Sequence, residues 1–100
     1  MTELLKKLIN TVSPSGDEDL VRNLIKKVMK GHVDKMDVDN LGNLICRKKG
    51  KGPAIVLAAH MDEIGLMVSK VDRDGYLKIS EVGGVDSIAL VGQKVQVMDQ

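Results

Sequence analysis

Aromatic side chains are almost absent from this sequence: its 100 residues include no Trp, no Phe and a single Tyr, Tyr76. A core must therefore be assembled from Leu, Ile, Val, Met and Ala, with the unbranched Met side chains filling irregular gaps. Base stacking, the sequence-tolerant part of single-strand recognition, has no platform. Cysteine is equally scarce. Cys46 has no second cysteine to pair with, and in an apolar stretch it reads as a small buried hydrophobe in a reducing compartment. Charge of one sign is missing as well. The formal net charge is +1, and the pairs Lys6-Lys7, Lys26-Lys27 and Lys48-Lys49 are spaced along the chain among Asp and Glu. That pattern predicts solvated helix faces and a turn, and no nucleic-acid partner. No run approaches the roughly 20 apolar residues of a membrane span. The opening MTELLKKLIN carries charges inside its apolar pattern, unlike a signal sequence, so no membrane partner and a cytoplasmic location are expected. What remains is 43% hydrophobic. At this length a single domain should bury roughly two thirds of its unfolded surface.

The hydrophobic period changes once along the chain. Leu4, Leu5, Leu8, Ile9 and Val12 form one stripe of an amphipathic helix with Thr2 placed as its N-cap, and Ser13-Pro14-Ser15-Gly16 ends it. Ser15 with Glu18 fits a capping box for a second helix, striped by Leu20, Val21, Leu24, Ile25 and Val28 and closed by Gly31. From Val33 onward the pattern is extended. Residues 34–48 read as a hairpin around Asn40-Leu41-Gly42-Asn43. Ala54 to Ala59 is apolar without alternation, as in a central strand covered on both faces. Gly65 to Val71 and Tyr76 to Val82 read as a second hairpin around Asp72-Arg73-Asp74-Gly75, broken by Gly83-Gly84, and Lys94 to Met98 as a last strand.

The chemistry concentrates in PAIVLAAHMDEIGL, residues 53–66. If extended geometry continues past Ala59, alternation places His60 and Asp62 on one side and Met61 on the other. An imidazole that ligates a divalent ion through one nitrogen usually donates its other N–H to an acceptor, a task for which Asp62 is well placed. Ligands also collect where central strands of open α/β sheets end. A two-residue motif is weak, and the competing reading is a histidine surfacing from a strand beside solvated Asp62 and Glu63. His32, after Gly31, suits a helix C-terminus better than a metal. Glu81 and Asp86 have no coordinating spacing.

The order PSGDED, VDNLGNLICRKKGKGP, IVLAAHMDEIGLMV, DGYLKISEVGGVD and VGQKV resembles the start of the M42 family of metallo-aminopeptidases, which includes glutamyl and deblocking enzymes and some that form tetrahedral particles. The resemblance covers essentially the whole chain. It implies an α/β fold: two N-terminal helices packed on a mixed β-sheet, in an incomplete zinc-aminopeptidase-like catalytic domain. Residues 1–82 would belong to that domain. Residues 83–100 would begin an inserted β-rich dimerisation domain, with VGQKVQVMDQ as its first strand. His60 would ligate one ion of a two-metal centre, zinc or cobalt, and Asp62 would be the catalytic acid that positions that histidine. The substrate would be the N-terminal residue of a peptide. The family's base glutamate, bridging aspartate and remaining ligands are not found in these residues, so little or no activity is expected of this chain alone, and no stably bound metal. Some relatives carry an endoglucanase label, but adjacent acids such as Asp62 and Glu63 suit a glycosidase poorly. Uncovered sheet edges and apolar faces imply a homo-oligomer. The alternative is a non-catalytic module that self-associates or binds a partner. A small α/β protein with a coincidental His-x-Asp is the third reading.

Overall fold

A computed structural model describes residues 1–98. It divides into two compact units, Met1–Glu63 and the remainder from Ile64 onward. The first holds helices α1 (Thr2–Ile9) and α2 (Asp19–Met29) and strands β1 (Lys35–Val38) and β2 (Leu44–Arg47); the second holds β3 (Gly65–Val71) and β4 (Leu77–Val82). The α/β class stands.

α1 ends earlier than its apolar stripe. Asn10 Nδ2 donates to the Lys6 carbonyl at 2.8 Å and Thr11 Oγ1 to the Lys7 carbonyl at 2.7 Å, so polar side chains take over the last turn before Val12 is reached. Thr2 is not the N-cap: it lies inside the helix and Met1 precedes it. In α2 the predicted capping box is half formed. Glu18 occupies the N-cap and its Oε1 accepts from the Gly16 N–H at 2.6 Å, while the Ser15 hydroxyl is directed elsewhere, to Asp62. Gly31, at φ +86°, follows the helix in the left-handed conformation that glycine adopts freely.

β1 and β2 pair antiparallel, Lys35 opposite Arg47 and Val38 opposite Leu44, as the hairpin reading expects. Their turn is built by Asp39, whose carboxylate accepts from the amides of Leu41 and Asn43 and from the Asn43 side chain at 2.8–3.0 Å. Arg22 of α2 reaches this turn, its Nε donating to the Gly42 carbonyl at 2.7 Å. A Cβ on Gly42 would stand 2.7 Å from Arg22 Nη2, and the residue is at φ +86°. β3 and β4 also pair antiparallel, with an irregularity between Val68 and Lys70, around a turn in which Asp72 accepts from the amides of Asp74 and Tyr76. Tyr76 therefore belongs to the turn, and β4 starts at Leu77.

Three expectations are corrected. The mixed sheet is not formed among the described residues: two separate two-stranded antiparallel sheets stand in its place, and the parallel element is an isolated bridge between Pro14 and Glu63. Ala54 to Ala59 is not a covered strand. It carries no strand assignment, and Ile55, Val56 and Leu57 are 84–94% exposed. Lys94 to Met98 is not a strand either; the last two residues of VGQKVQVMDQ lie outside the described ones. The expected core is correspondingly open. Val21 is the buried hydrophobic residue and Ser13 the buried polar one among the described residues, and Cys46 is half-buried. No described helix is long and apolar enough to cross a membrane.

Candidate metal centre

The loop between α1 and α2 meets the segment that follows Ala59. Proline at 14 cannot extend a helix whose last turn is already closed, so the chain runs extended through Ser13. The Glu63 amide donates to the Ser13 carbonyl at 2.9 Å. In return the Ser13 amide donates to Glu63 Oε1 at 3.2 Å and its hydroxyl to the Met61 carbonyl at 3.3 Å. These bonds join the two backbones around the buried Ser13. Glu63 is exposed and at the same time bonded to Ser13 through both its amide and its carboxylate.

His60 and Asp62 alternate along the chain with these anchors, Met61 and Glu63, and the structure brings their side chains together. His60 Nδ1 is 3.0 Å from the Asp62 carbonyl and 3.1 Å from its Oδ1. Both neighbours are acceptors, so the proton belongs on Nδ1, and the lone pair remains on Nε2, on a side chain that is 86% exposed. The other carboxylate oxygen, Oδ2, accepts from the Ser15 hydroxyl. Asp62 is held below the ordinary value of 3.8, first by the Ser15 hydroxyl and then by the His60 ring; both donors favour the ionised form.

As a donor set the arrangement is partial. One imidazole nitrogen faces outward with a carboxylate behind it, the second-sphere arrangement typical of a metal-ligating histidine. Zinc takes four ligands, three of them from protein even at an open catalytic site. No group of three or more His, Cys, Asp or Glu side chains that could hold an ion occurs among the described residues. His32 is exposed at the end of α2, where its amide donates to the Met29 carbonyl. Glu81 accepts from the Ser87 hydroxyl. Asp62 and Glu63 do not act as an acid pair: one faces Ser15 and His60, the other Ser13. An open hollow of about 1270 Å³, lined in part by Ile25, Met29, Val56 and His60, runs along the uncovered segment.

Neither Ser13 nor Ser15 is marked as a site residue by its local sequence. Ser15 fits a capping box on spacing, and nothing local reveals that its partner lies 47 positions away.

The sequence pattern of the M42 glutamyl aminopeptidase family matches residues 42–100. A putative aminopeptidase of Acetivibrio thermocellus is 50% identical over 96% of this chain and 29% of its own length. The lysyl aminopeptidase of Pyrococcus furiosus is 44% identical over 94% of this chain and 28% of its own. Among solved structures, a TET aminopeptidase from a marine sediment archaeon of the Thaumarchaeota superposes with a TM-score of 0.87 at 39% identity, over 92% of this chain and 26% of that one. A Thermotoga maritima protein described as an endoglucanase superposes with a TM-score of 0.80 at 44% identity, over 86% and 28%. This chain therefore spans less than a third of the length of each of these relatives.

Proposed function

The chain belongs to the M42 glutamyl aminopeptidase family, and from that premise we propose that it is the N-terminal portion of a dinuclear metal-dependent aminopeptidase that removes N-terminal residues from peptides. The observation that carries the proposal is the contact of His60 Nδ1 with Asp62 at 3.0–3.1 Å, which turns Nε2 outward. His60 would hold one of the two ions, zinc or cobalt, and Asp62 is the catalytic acid that fixes its tautomer and strengthens its donation. When bound, the ions supply a water of lowered pKa and a polarised substrate carbonyl. This chain's own residues supply orientation: Asp62 holds the imidazole, Ser15 holds Asp62, and Ser13 holds the backbone that carries both.

One ligand does not retain an ion tightly, so the chain alone is inactive or nearly so. Zinc titration followed by nitrogen-15 NMR of the histidine rings tests this. The expected result is a weak, His60-specific shift at Nε2 that His60→Ala abolishes, with no turnover of an aminoacyl chromogenic substrate. Zinc that leaves His60 unperturbed would contradict the ligand assignment, and turnover that His60→Ala abolishes would contradict the inactivity.

A second reading rests on a different observation. The exposed run Ile55-Val56-Leu57 leaves contiguous apolar surface that favours association, so the chain forms a homo-oligomer or a non-catalytic self-associating or partner-binding module. We place the boundary between catalytic and inserted dimerisation domains at 82/83, where Gly83-Gly84 breaks β4. A cytoplasmic location belongs to the same proposal, with Cys46 kept there as a reduced, unpaired thiol.

A further inference from the structure

Two serines of one loop meet the His60–Glu63 segment, and they do different things. Ser13 is buried, and its amide, carbonyl and hydroxyl bond the backbone and the Glu63 side chain. None of these bonds touches His60 or Asp62. Ser15 is exposed and makes one side-chain contact to this segment, from its hydroxyl to Asp62 Oδ2. It does not cap α2, which begins without a side-chain cap. A carboxylate has two oxygens on one rotatable plane. Fixing Oδ2 to Ser15 therefore decides where Oδ1 points, and it points at His60 Nδ1, 3.1 Å away.

We propose that Ser15 is a positioning residue for the metal-ligating histidine: its hydroxyl holds the Asp62 carboxylate turned toward His60 Nδ1, and so sets Nε2 as the ring nitrogen free to bind an ion. The inference rests on the proposed role of His60 and adds to it the residue that selects the tautomer. A free neutral imidazole side chain prefers its proton on Nε2, so the Ser15–Asp62–His60 chain reverses the intrinsic preference. The Asp62 carbonyl, 3.0 Å from the same nitrogen, supports that reversal but cannot rotate independently of the backbone that Ser13 holds. A hydroxyl is required at 15 and not merely a small side chain.

The test uses the complete metal-free chain at a pH where the imidazole is neutral, reading the His60 ring nitrogens by long-range proton–nitrogen correlation. The wild-type chain is expected to show Nδ1 protonated and Nε2 bare. Ser15→Ala should shift the tautomer ratio toward Nε2–H by about fivefold, the equivalent of one ordinary hydrogen bond. Ser15→Thr, which keeps the hydroxyl, should restore the wild-type ratio, and Ser69→Ala, whose hydroxyl bonds the Lys78 carbonyl within the β3–β4 hairpin, should leave it unchanged. A wild-type chain with the proton on Nε2, a Ser15→Ala chain with an unaltered ratio, or an equal effect of Ser69→Ala would each overturn the proposal. Loss of the Val21 methyl and Cys46 amide signals together with the tautomer in Ser15→Ala would show a purely structural role and would overturn it too. Zinc titration of the same samples separates this inference from the reading beneath it. A tautomer that depends on Ser15 with zinc bypassing His60 sinks the metal role. Zinc at His60 with a tautomer indifferent to Ser15 sinks only the positioning role.

Discussion

At the scale of single residues, the site is a short chain of contacts, Ser15 to Asp62 to His60, anchored by Ser13. Its electrostatics have a sign that can be checked. The Asp62 carboxyl titrates below 3.8 in the folded chain because Ser15 and then His60 donate to it. Its contribution to stability is therefore complete above a pH of about 3.8 and is lost as the pH falls through the lower folded value. Titrating the Asp62 carboxyl carbon by NMR should give a midpoint below 3.8 in the wild-type chain and one closer to 3.8 in Ser15→Ala. A wild-type midpoint at or above 3.8 would contradict the contacts. Half of this site was legible in the sequence. The apolar run ending in His-x-Asp carries His60 and Asp62 two positions apart, and that spacing suffices to bring their side chains together. Ser15 was not legible, because a serine three residues before a glutamate is also a capping box, and the choice between the two is made by a partner far away in sequence.

At the scale of elements, the helices and both hairpins follow local patterns, and their ends depart from expectation where side-chain hydrogen bonds intervene, at Asn10 and Thr11 or at Glu18. One side-chain contact links α2 to the β1–β2 turn. Arg22, 12% exposed at its side chain, pairs with Glu18 and Asp19 on its own helix and donates to the Gly42 carbonyl across to the β1–β2 turn. Arg22→Ala should cost about 2 kcal/mol in urea unfolding, the range of a hydrogen bond to a charged group. Gly42→Ala should destabilise as well, through its positive φ and the Cβ clash with Arg22. Because both substitutions remove the same contact, the double variant should be less destabilised than the sum of the singles; full additivity would show that the contact is not formed. The turn itself depends on the ionised Asp39, held below 3.8 chiefly by the Asn43 side chain and then by backbone amides. Its order is thus complete above about pH 3.8 and declines as the pH falls through the lower folded value. Amide exchange at Leu41 and Asn43 should accelerate over that acidic range, and rates independent of pH there, after correction for intrinsic exchange, would contradict it.

At the scale of the whole molecule, the run Ala54 to Ala59 shows where local reading fails. Its composition is that of a central strand, but pairing and burial need neighbours that the described residues do not supply, so an apolar segment meant for an interior stands exposed. Such a surface should drive association. Sedimentation of the chain should show concentration-dependent oligomers that Val56→Lys with Leu57→Lys disperses, whereas a wild-type monomer at high concentration would contradict it. Transplantation decides whether these residues can supply the proposed ligand and its orienting acid to an aminopeptidase. The lysyl aminopeptidase of Pyrococcus furiosus aligns with this chain over 95 residues, and that segment can be replaced by the present one. The chimera should turn over an aminoacyl chromogenic substrate and lose turnover on His60→Ala; a folded chimera without turnover, or one that remains as active after His60→Ala, would contradict the account.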